Sequence, residues 1–88
     1  MKRDITVTNK LGLHARASAK LVKCAAGFAS EVWLARGERR VNAKSIMGVM
    51  MLAAGMGTAL TLEAQGSDAE AALQALEELF ADKFGEGE

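Results

Sequence analysis

The stretch SEVWLARGERRVNA, residues 30–43, predicts a β-hairpin. Val32 and Leu34 alternate with Glu31 and Trp33, and a period of two is typical of a strand with one apolar and one polar face. A turn at the central glycine would reverse the chain into a second strand. The stretch therefore indicates an antiparallel sheet that is buried on one side and hydrated on the other.

Two segments outside this hairpin show the same alternation. DITVT, residues 4–8, places Ile5 and Val7 on one face. TALTLEA, residues 58–64, places Leu60, Leu62 and Ala64 on one face. Both segments are predicted to be strands of the same sheet.

Three helices are predicted between and after these strands. The first runs from Ala15 to Ala26 and ends at Gly27. Its packed face is expected to repeat at spacings of three and four, at Ala15, Ser18, Ala19, Val22 and Ala26. A serine N-cap predicts a short second helix within KSIMGVMMLAAGMG. The third begins with an S-x-x-E capping box of Ser67 and Glu70, and Gly85 closes it before an acidic GEGE tail. Its apolar residues at helical spacing are Ala69, Ala72, Leu73, Leu76 and Phe80.

The element order is therefore βαββαβα, and every strand has one apolar face. Helices must cover the apolar side of such a sheet. The predicted fold class is α+β, an open-faced β-sandwich with a four-stranded antiparallel sheet and three helices on one face. A length of 88 residues favours one domain spanning residues 1–88. Because ferredoxin-like domains share this order of elements, topology alone does not identify a function.

Composition disfavours several functional classes. Eleven basic and eleven acidic residues give a formal net charge of zero, so the chain has no general attraction for nucleic acid or an anionic membrane. No segment is long enough for a membrane span, and the N-terminus lacks the apolar run of a signal peptide. The single cysteine, Cys24, cannot form an intrachain disulfide. We expect a cytoplasmic protein with no nucleic-acid partner and no membrane insertion.

The only histidine, His14, lies at the predicted start of the first helix, within GLHARASAK. Backbone amides in the first turn of a helix lack intrahelical acceptors and bind anions, whereas the positive end of the helix dipole disfavours a charged imidazole. A neutral imidazole keeps a nitrogen lone pair that can attack phosphorus. The resulting phosphoryl group would lie at the amides of Ala15, Arg16 and Ala17, and the Arg16 guanidinium would add further hydrogen bonds. The motif is therefore a candidate phosphorylation site.

The same residues are compatible with other roles for His14. A histidine at the junction of a loop and a helix can be a polar capping residue and nothing more. A metal site is disfavoured because there is no second histidine and Cys24 lies more than two helical turns along the chain. The same separation disfavours a Cys–His nucleophile pair. On local chemistry alone, both capping and phosphorylation remain compatible with the motif.

The second helix is expected to expose apolar side chains, because residues 46–54 contain no polar side chain. If Val49 and Leu52 face the core, four others must be partly exposed. We call these four residues the apolar patch: Ile46, Met47, Met50 and Met51. An exposed apolar patch indicates a contact surface, although methionines also fill gaps in protein cores. A basic stripe on the first helix, at Arg16, Lys20 and Lys23, predicts a partner with an acidic rim.

GLHARASA resembles the active-site signature of the histidine-containing phosphocarrier family, HPr, of the bacterial phosphotransferase system. NAKSIMGVMML resembles the regulatory serine of that family and the short helix that follows it. The resemblance covers essentially the whole chain. It implies that His14 accepts a phosphoryl group on Nδ1 from Enzyme I, which phosphoenolpyruvate phosphorylates, and passes it to IIA domains. Arg16 would stabilise the phosphate, and the protein would be a carrier and not an enzyme, with no metal and no cofactor.

The resemblance also implies a second phosphorylation, at Ser45, by an HPr kinase/phosphorylase that uses ATP. Partners would dock on Lys20, Lys23 and the apolar patch of a monomer. Ala17 departs from the family pattern, which commonly has proline there. Two alternatives are a nitrogen-related phosphocarrier and a non-catalytic regulatory domain that binds an anion at the same helix end.

Overall fold

The computed structural model describes residues 1–86 as an antiparallel sheet with helices packed on one side. The strands are β1 (Lys2–Thr6), β2 (Glu31–Arg36), β3 (Arg39–Asn42) and β4 (Ala59–Gln65). The helices are α1 (Ala15–Ala26), α2 (Ile46–Met51) and α3 (Ala69–Ala81), and a 3-10 turn at Lys83–Gly85 follows α3. The sheet order is β1-β4-β2-β3, with every neighbouring pair antiparallel. The predicted open-faced βαββαβα sandwich is confirmed.

The hairpin at the centre of the sequence forms as predicted. Val32 and Leu34 are buried, and Gly37, at φ +59°, makes the turn between β2 and β3. Trp33 lies on the open face of the sheet, where the Arg40 guanidinium stacks 4.0 Å from the centre of its ring. This cation–π contact covers part of the indole on the open face of the sheet. The apolar residues of β2 lie on the opposite face, which the helices cover.

The face that α1 buries differs from the predicted one. Its fully buried residues are Ala17, Ser18, Leu21 and Ala25. Of the predicted face, Ala15, Ala19 and Ala26 are exposed, Val22 is half-buried and Ser18 alone is buried. The prediction followed a stripe of small residues. The helix instead turns Leu21 into the core, because burying leucine removes far more apolar surface from water than burying alanine. Gly27 is the C-cap, as predicted.

The capping box predicted for α3 is wrong, although the predicted apolar face is buried. The helix begins at Ala69 with Asp68 as its N-cap, and the Asp68 side chain makes no capping hydrogen bond. Instead, its carboxylate accepts hydrogen bonds from the backbone N–H groups of Ala29 (2.8 Å) and Ser30 (2.9 Å) and from the Ser30 hydroxyl. Asp68 therefore ties the start of α3 to the start of β2.

The end of α3 also differs from the prediction. The helix stops at Ala81, and Gly85 closes the 3-10 turn that follows it. Of the predicted acidic tail, residues 87 and 88 lie outside the described residues. No helix in residues 1–86 combines the length and the apolar composition that crossing a membrane requires.

Replacing Asp68 by alanine is expected to lower the melting temperature at pH 7 by several degrees. Hydrogen bonds from the Ser30 hydroxyl and then the Ala29 amide lower the pKa of Asp68 below its usual 3.8. A carboxyl whose pKa is lower in the folded state stabilises the fold above the unfolded pKa and loses this contribution as pH falls through the folded pKa. The difference in melting temperature between the wild type and Asp68→Ala should therefore become smaller below about pH 4.

Thermal unfolding followed by circular dichroism at pH 7 and pH 3 measures this effect. Glu38→Ala is the control, because it also removes a carboxylate, but from an exposed position of the hairpin turn. Equal melting temperatures for Asp68→Ala and Glu38→Ala at pH 7 would show that Asp68 does not join α3 to β2.

Candidate functional site

His14 is the N-cap of α1, and backbone contacts fix the loop that carries it. Gly12, at φ +64°, lies so close to the segment after α2 that a Cβ atom there would be 2.4 Å from the Ala54 carbonyl oxygen. The next residue, Leu13, donates its N–H to this oxygen at 2.9 Å. Only glycine permits both the left-handed backbone and the close approach. The position of His14 is therefore set by the segment that follows α2.

Both nitrogens of the His14 ring have neighbours. Nδ1 accepts a hydrogen bond from the Arg16 backbone N–H at 3.3 Å, so the side chain does cap α1. Nε2 lies 2.5 Å from Oε2 of Glu86. The side chain is 28% exposed, which leaves the ring accessible to a second protein. Capping and accessibility are therefore compatible in one residue.

The first turn of α1 leaves hydrogen-bond donors beside this ring. Within residues 1–86, the backbone N–H groups of Ala15 and Ala17 have no acceptor, and the Arg16 guanidinium has no ion-pair partner. Ala15 and Arg16 line an open depression together with His14 and Glu86. These donors and the helix dipole favour an anion in that depression.

Ala17 contributes to the site only through its backbone. Its side chain is completely buried in the core under α1. A proline at this position would have no N–H. Alanine therefore adds one donor to the first turn of the helix.

Glu86 was not predicted as a site residue, because only an acidic tail could be recognised in the sequence. Its Oε1 accepts a hydrogen bond from Nδ2 of Asn9 at 3.0 Å. That bond, and then the hydrogen bond and charge of His14 and the charge of Lys20, lower the pKa of Glu86. The prediction of a neutral imidazole rests on the helix end alone and does not include the Glu86 carboxylate beside Nε2, so it stays a prediction.

The apolar patch on α2 is exposed as predicted, and Val49 and Leu52 are buried. The exposed fractions are 43% for Ile46, 73% for Met47, 41% for Met50 and 61% for Met51. Ser45 is the N-cap of this helix, and its hydroxyl accepts the N–H of Gly48 at 3.1 Å. Ser45 therefore lies at the edge of the patch.

Two arginines that were not predicted to contribute hold the other end of α2. Arg36 donates to the carbonyl oxygens of Leu52 (2.9 Å) and Ala53 (3.0 Å), and Arg39 donates to that of Met51 (2.7 Å). These carbonyls have no partner within the helix, and positive charge at a helix C-terminus is stabilising. The hairpin thus fixes the orientation of the apolar patch.

The basic stripe of α1 is exposed, but its members are not equivalent. Lys20 donates from Nζ to the Phe84 carbonyl oxygen at 2.6 Å and thereby holds the 3-10 turn. Lys23 lies in the last turn of α1 and has no hydrogen-bond or ion-pair partner within residues 1–86. Lys20 therefore has a structural contact, and its docking role stays a prediction.

Cys24 is a free, half-buried cysteine on α1. Among residues 1–86, no group of three or more His, Cys, Asp or Glu side chains lies close enough together to hold a metal ion. Burial raises the pKa of the Cys24 thiol. A raised pKa lowers the fraction of reactive thiolate at neutral pH.

Comparisons with known proteins match the chain along nearly its full length. The family model described as "PTS HPr component phosphorylation site" matches residues 1–82. Phosphocarrier protein HPr of Cupriavidus necator is 59% identical over 88 residues, which cover 100% of this chain and 99% of the relative. Phosphocarrier protein NPr of Shewanella violacea is 45% identical over 86 residues, covering 98% and 94%. The crystal structure of HPr-C-His from Thermoanaerobacter tengcongensis has a TM-score of 0.95 at 44% identity, covering 98% and 97%. The similarity thus includes sequence, length and fold.

Proposed function

Since the chain belongs to the HPr family of phosphocarrier proteins of the bacterial phosphotransferase system, we propose that His14 is the residue that carries the phosphoryl group. The observation that supports this assignment most strongly is the placement of His14. Its partly exposed ring lies at the N-terminus of α1, beside amides and a guanidinium that have no acceptor within residues 1–86. These donors support the proposal, because they would hold the anion that phosphorylation of the ring creates.

Phosphoryl transfer to His14 would proceed by attack of the Nδ1 lone pair on the phosphorus atom presented by phospho-Enzyme I. The bond between phosphorus and its donor atom on Enzyme I breaks as the bond to Nδ1 forms. Nδ1 gives up its contact with the Arg16 N–H, which becomes free to donate to a phosphate oxygen. The amides of Ala15 and Ala17 and the Arg16 guanidinium supply further hydrogen bonds. Transfer to a IIA domain reverses these steps.

Docking would use the apolar patch together with Lys20 and Lys23. Exposed apolar side chains lie on α2, and exposed basic side chains lie on the neighbouring α1. Enzyme I and the IIA domains would each present an apolar surface with an acidic rim. One surface would then serve both the donor and the acceptor of the phosphoryl group.

Incubation with Enzyme I and phosphoenolpyruvate tests the assignment. We expect one phosphate per chain that is labile to acid and stable to base, and we expect peptide mapping to place it on His14. Adding a IIA domain should then remove it. No such phosphate, or a phosphate on another residue, would contradict the assignment, and a reaction without Enzyme I is the control.

We also propose that Ser45 is a second phosphorylation site, for an HPr kinase/phosphorylase. Its hydroxyl is half-exposed at the N-cap of α2, at the edge of the apolar patch. A phosphate there would place about two negative charges beside Ile46 and Met47. Such charges would repel the acidic rim of a docking partner.

The nitrogen-related alternative is less well supported. NPr of Shewanella violacea is similar to this chain, but the Cupriavidus necator HPr is more so, at 59% against 45% identity. An anion-binding regulatory domain would bind phosphate without forming the acid-labile bond, so the same incubation separates it from a carrier.

A further inference from the structure

The contacts around His14 point to two residues that hold its ring ready for reaction. We infer that Asn9 and Glu86 are positioning residues: Asn9 orients the Glu86 carboxylate, and Glu86 fixes the imidazole in the tautomer that has hydrogen on Nε2 and a lone pair on Nδ1. The inference rests on the proposed function, because the tautomer has a chemical consequence only if Nδ1 is the nucleophile.

The two ring contacts of His14 agree on a single tautomer. Nδ1 lies 3.3 Å from the Arg16 backbone N–H, which can only donate, so Nδ1 must accept. Nε2 lies 2.5 Å from Oε2 of Glu86, and an ionised carboxylate can only accept, so Nε2 must carry the hydrogen. In neutral histidine, the hydrogen bond made by one nitrogen determines the state of the other. Glu86 thus keeps the lone pair on the atom that faces the α1 amides.

Asn9 sets the position of the Glu86 carboxylate from beneath the loop. Its side chain is completely buried, and Nδ2 donates to the Gly12 carbonyl oxygen at 2.8 Å and to Oε1 of Glu86 at 3.0 Å. Both partners are acceptors, so the amide nitrogen and not its oxygen must face them. Asn9 therefore links Glu86 to the loop that carries His14.

The remaining amide oxygen of Asn9 shows that this arrangement has a cost. Oδ1 is buried and has no hydrogen-bond donor within residues 1–86. Leaving a buried acceptor unpaired is unfavourable, and such atoms need a specific explanation. Here the explanation is that Nδ2 must face the His14 loop and Glu86 to make its two hydrogen bonds, which leaves Oδ1 without a donor.

The backbone before Glu86 also adopts an unfavourable conformation that delivers this side chain to the ring. Lys83, Phe84 and Gly85 have φ angles of +53°, +56° and +75°, and left-handed backbone is unfavourable for side chains other than glycine. Phe84 is buried with its ring 4.9 Å from that of Phe80, and this packing holds the turn in place. Such strain is typical of segments that position a functional group.

The tautomer can be measured directly, because His14 is the only histidine in the chain. Imidazole ¹⁵N chemical shifts, recorded at a pH where the ring is neutral, report which nitrogen carries hydrogen. We expect the wild-type ring to be almost entirely Nε2–H. Glu86→Ala should lower the ratio of Nε2–H to Nδ1–H by about tenfold, as expected when a hydrogen bond to a charged group is lost. Glu86→Gln, which keeps one acceptor, should lie between the two.

Variants at other positions separate positioning from stability. Asn9→Ala should shift the tautomer ratio in the same direction as Glu86→Ala. Glu78→Ala, which removes an exposed carboxylate from α3, should leave the ratio unchanged. If Asn9→Ala does not fold, the Glu86 variants still provide the test, because Glu86 follows the last element of the fold.

The outcomes distinguish this inference from the proposed function, since the spectra require no Enzyme I. An unchanged ratio in Glu86→Ala overturns the inference even if the wild type is phosphorylated normally. A shifted ratio, with a rate of phosphoryl transfer about tenfold lower at unchanged KM, supports it. If Glu86→Ala shifts the ratio but Enzyme I does not phosphorylate the wild-type protein, the proposed function is contradicted. The role in transfer assigned to Asn9 and Glu86 is then overturned as well.

Discussion

His14→Asn is expected to fold normally and to lose phosphoryl transfer from Enzyme I by a thousandfold or more, on the order seen when an essential nucleophile is removed. Asparagine is among the best N-cap residues, and its side-chain oxygen can accept a backbone N–H of the first turn, as His14 Nδ1 accepts that of Arg16. Its amide nitrogen has no available lone pair for attack on phosphorus. This variant therefore keeps the capping role and removes the chemistry.

His14→Ala is the matched control, because it removes both roles. It should be as inactive as His14→Asn but less stable by about 1 kcal/mol, the usual contribution of a capping side chain. Transfer assays with Enzyme I and phosphoenolpyruvate, combined with thermal unfolding, measure both quantities. Retained phosphorylation of His14→Asn would show that the acceptor is a different residue, and that His14 only caps α1.

The elements of the fold could be predicted because their signals are local. Alternation in residues 30–43 requires only neighbouring side chains, and it correctly placed Val32 and Leu34 in the core. The packed face of α1 was predicted wrongly because the helix itself has alanines on several faces. Which face is buried depends on how the helix packs on the sheet, and that packing buries Leu21. The cap of α3 was misjudged because Asp68 bonds residues 29 and 30, which are distant in sequence.

The residues of the site also divide into those with a local sequence signal and those without one. His14 and the residues that follow it are contiguous, so one motif indicated the helix end and the ring together. Glu86 lies 72 residues from His14, and it reaches the ring only through a left-handed turn that includes Lys83 and Phe84. Nothing in their side chains predicts that conformation, because the packing of Phe84 imposes it. Asn9 could not be recognised without Glu86.

Ser45→Asp is expected to lower kcat/KM for phosphorylation of His14 by Enzyme I by about 10- to 100-fold, while the protein stays folded. Ser45 caps α2 by accepting the Gly48 N–H at 3.1 Å, and aspartate is an equally good N-cap. The substitution therefore keeps the helix and adds a negative charge beside the apolar patch. If Enzyme I approaches with an acidic rim, this charge opposes docking and leaves the His14 ring unaltered.

Two neutral variants identify the cause of any loss at Ser45. Ser45→Asn has nearly the same shape as Ser45→Asp and also caps the helix, so it should transfer phosphate at close to the wild-type rate. Ser45→Ala should lose about 1 kcal/mol of stability and retain transfer. The effect of aspartate should weaken as salt is added, because salt screens exposed charges. Unchanged kinetics in Ser45→Asp would mean that partners do not dock beside Ser45, and an equal loss in Ser45→Asn would assign the effect to the shape of α2 and not to charge.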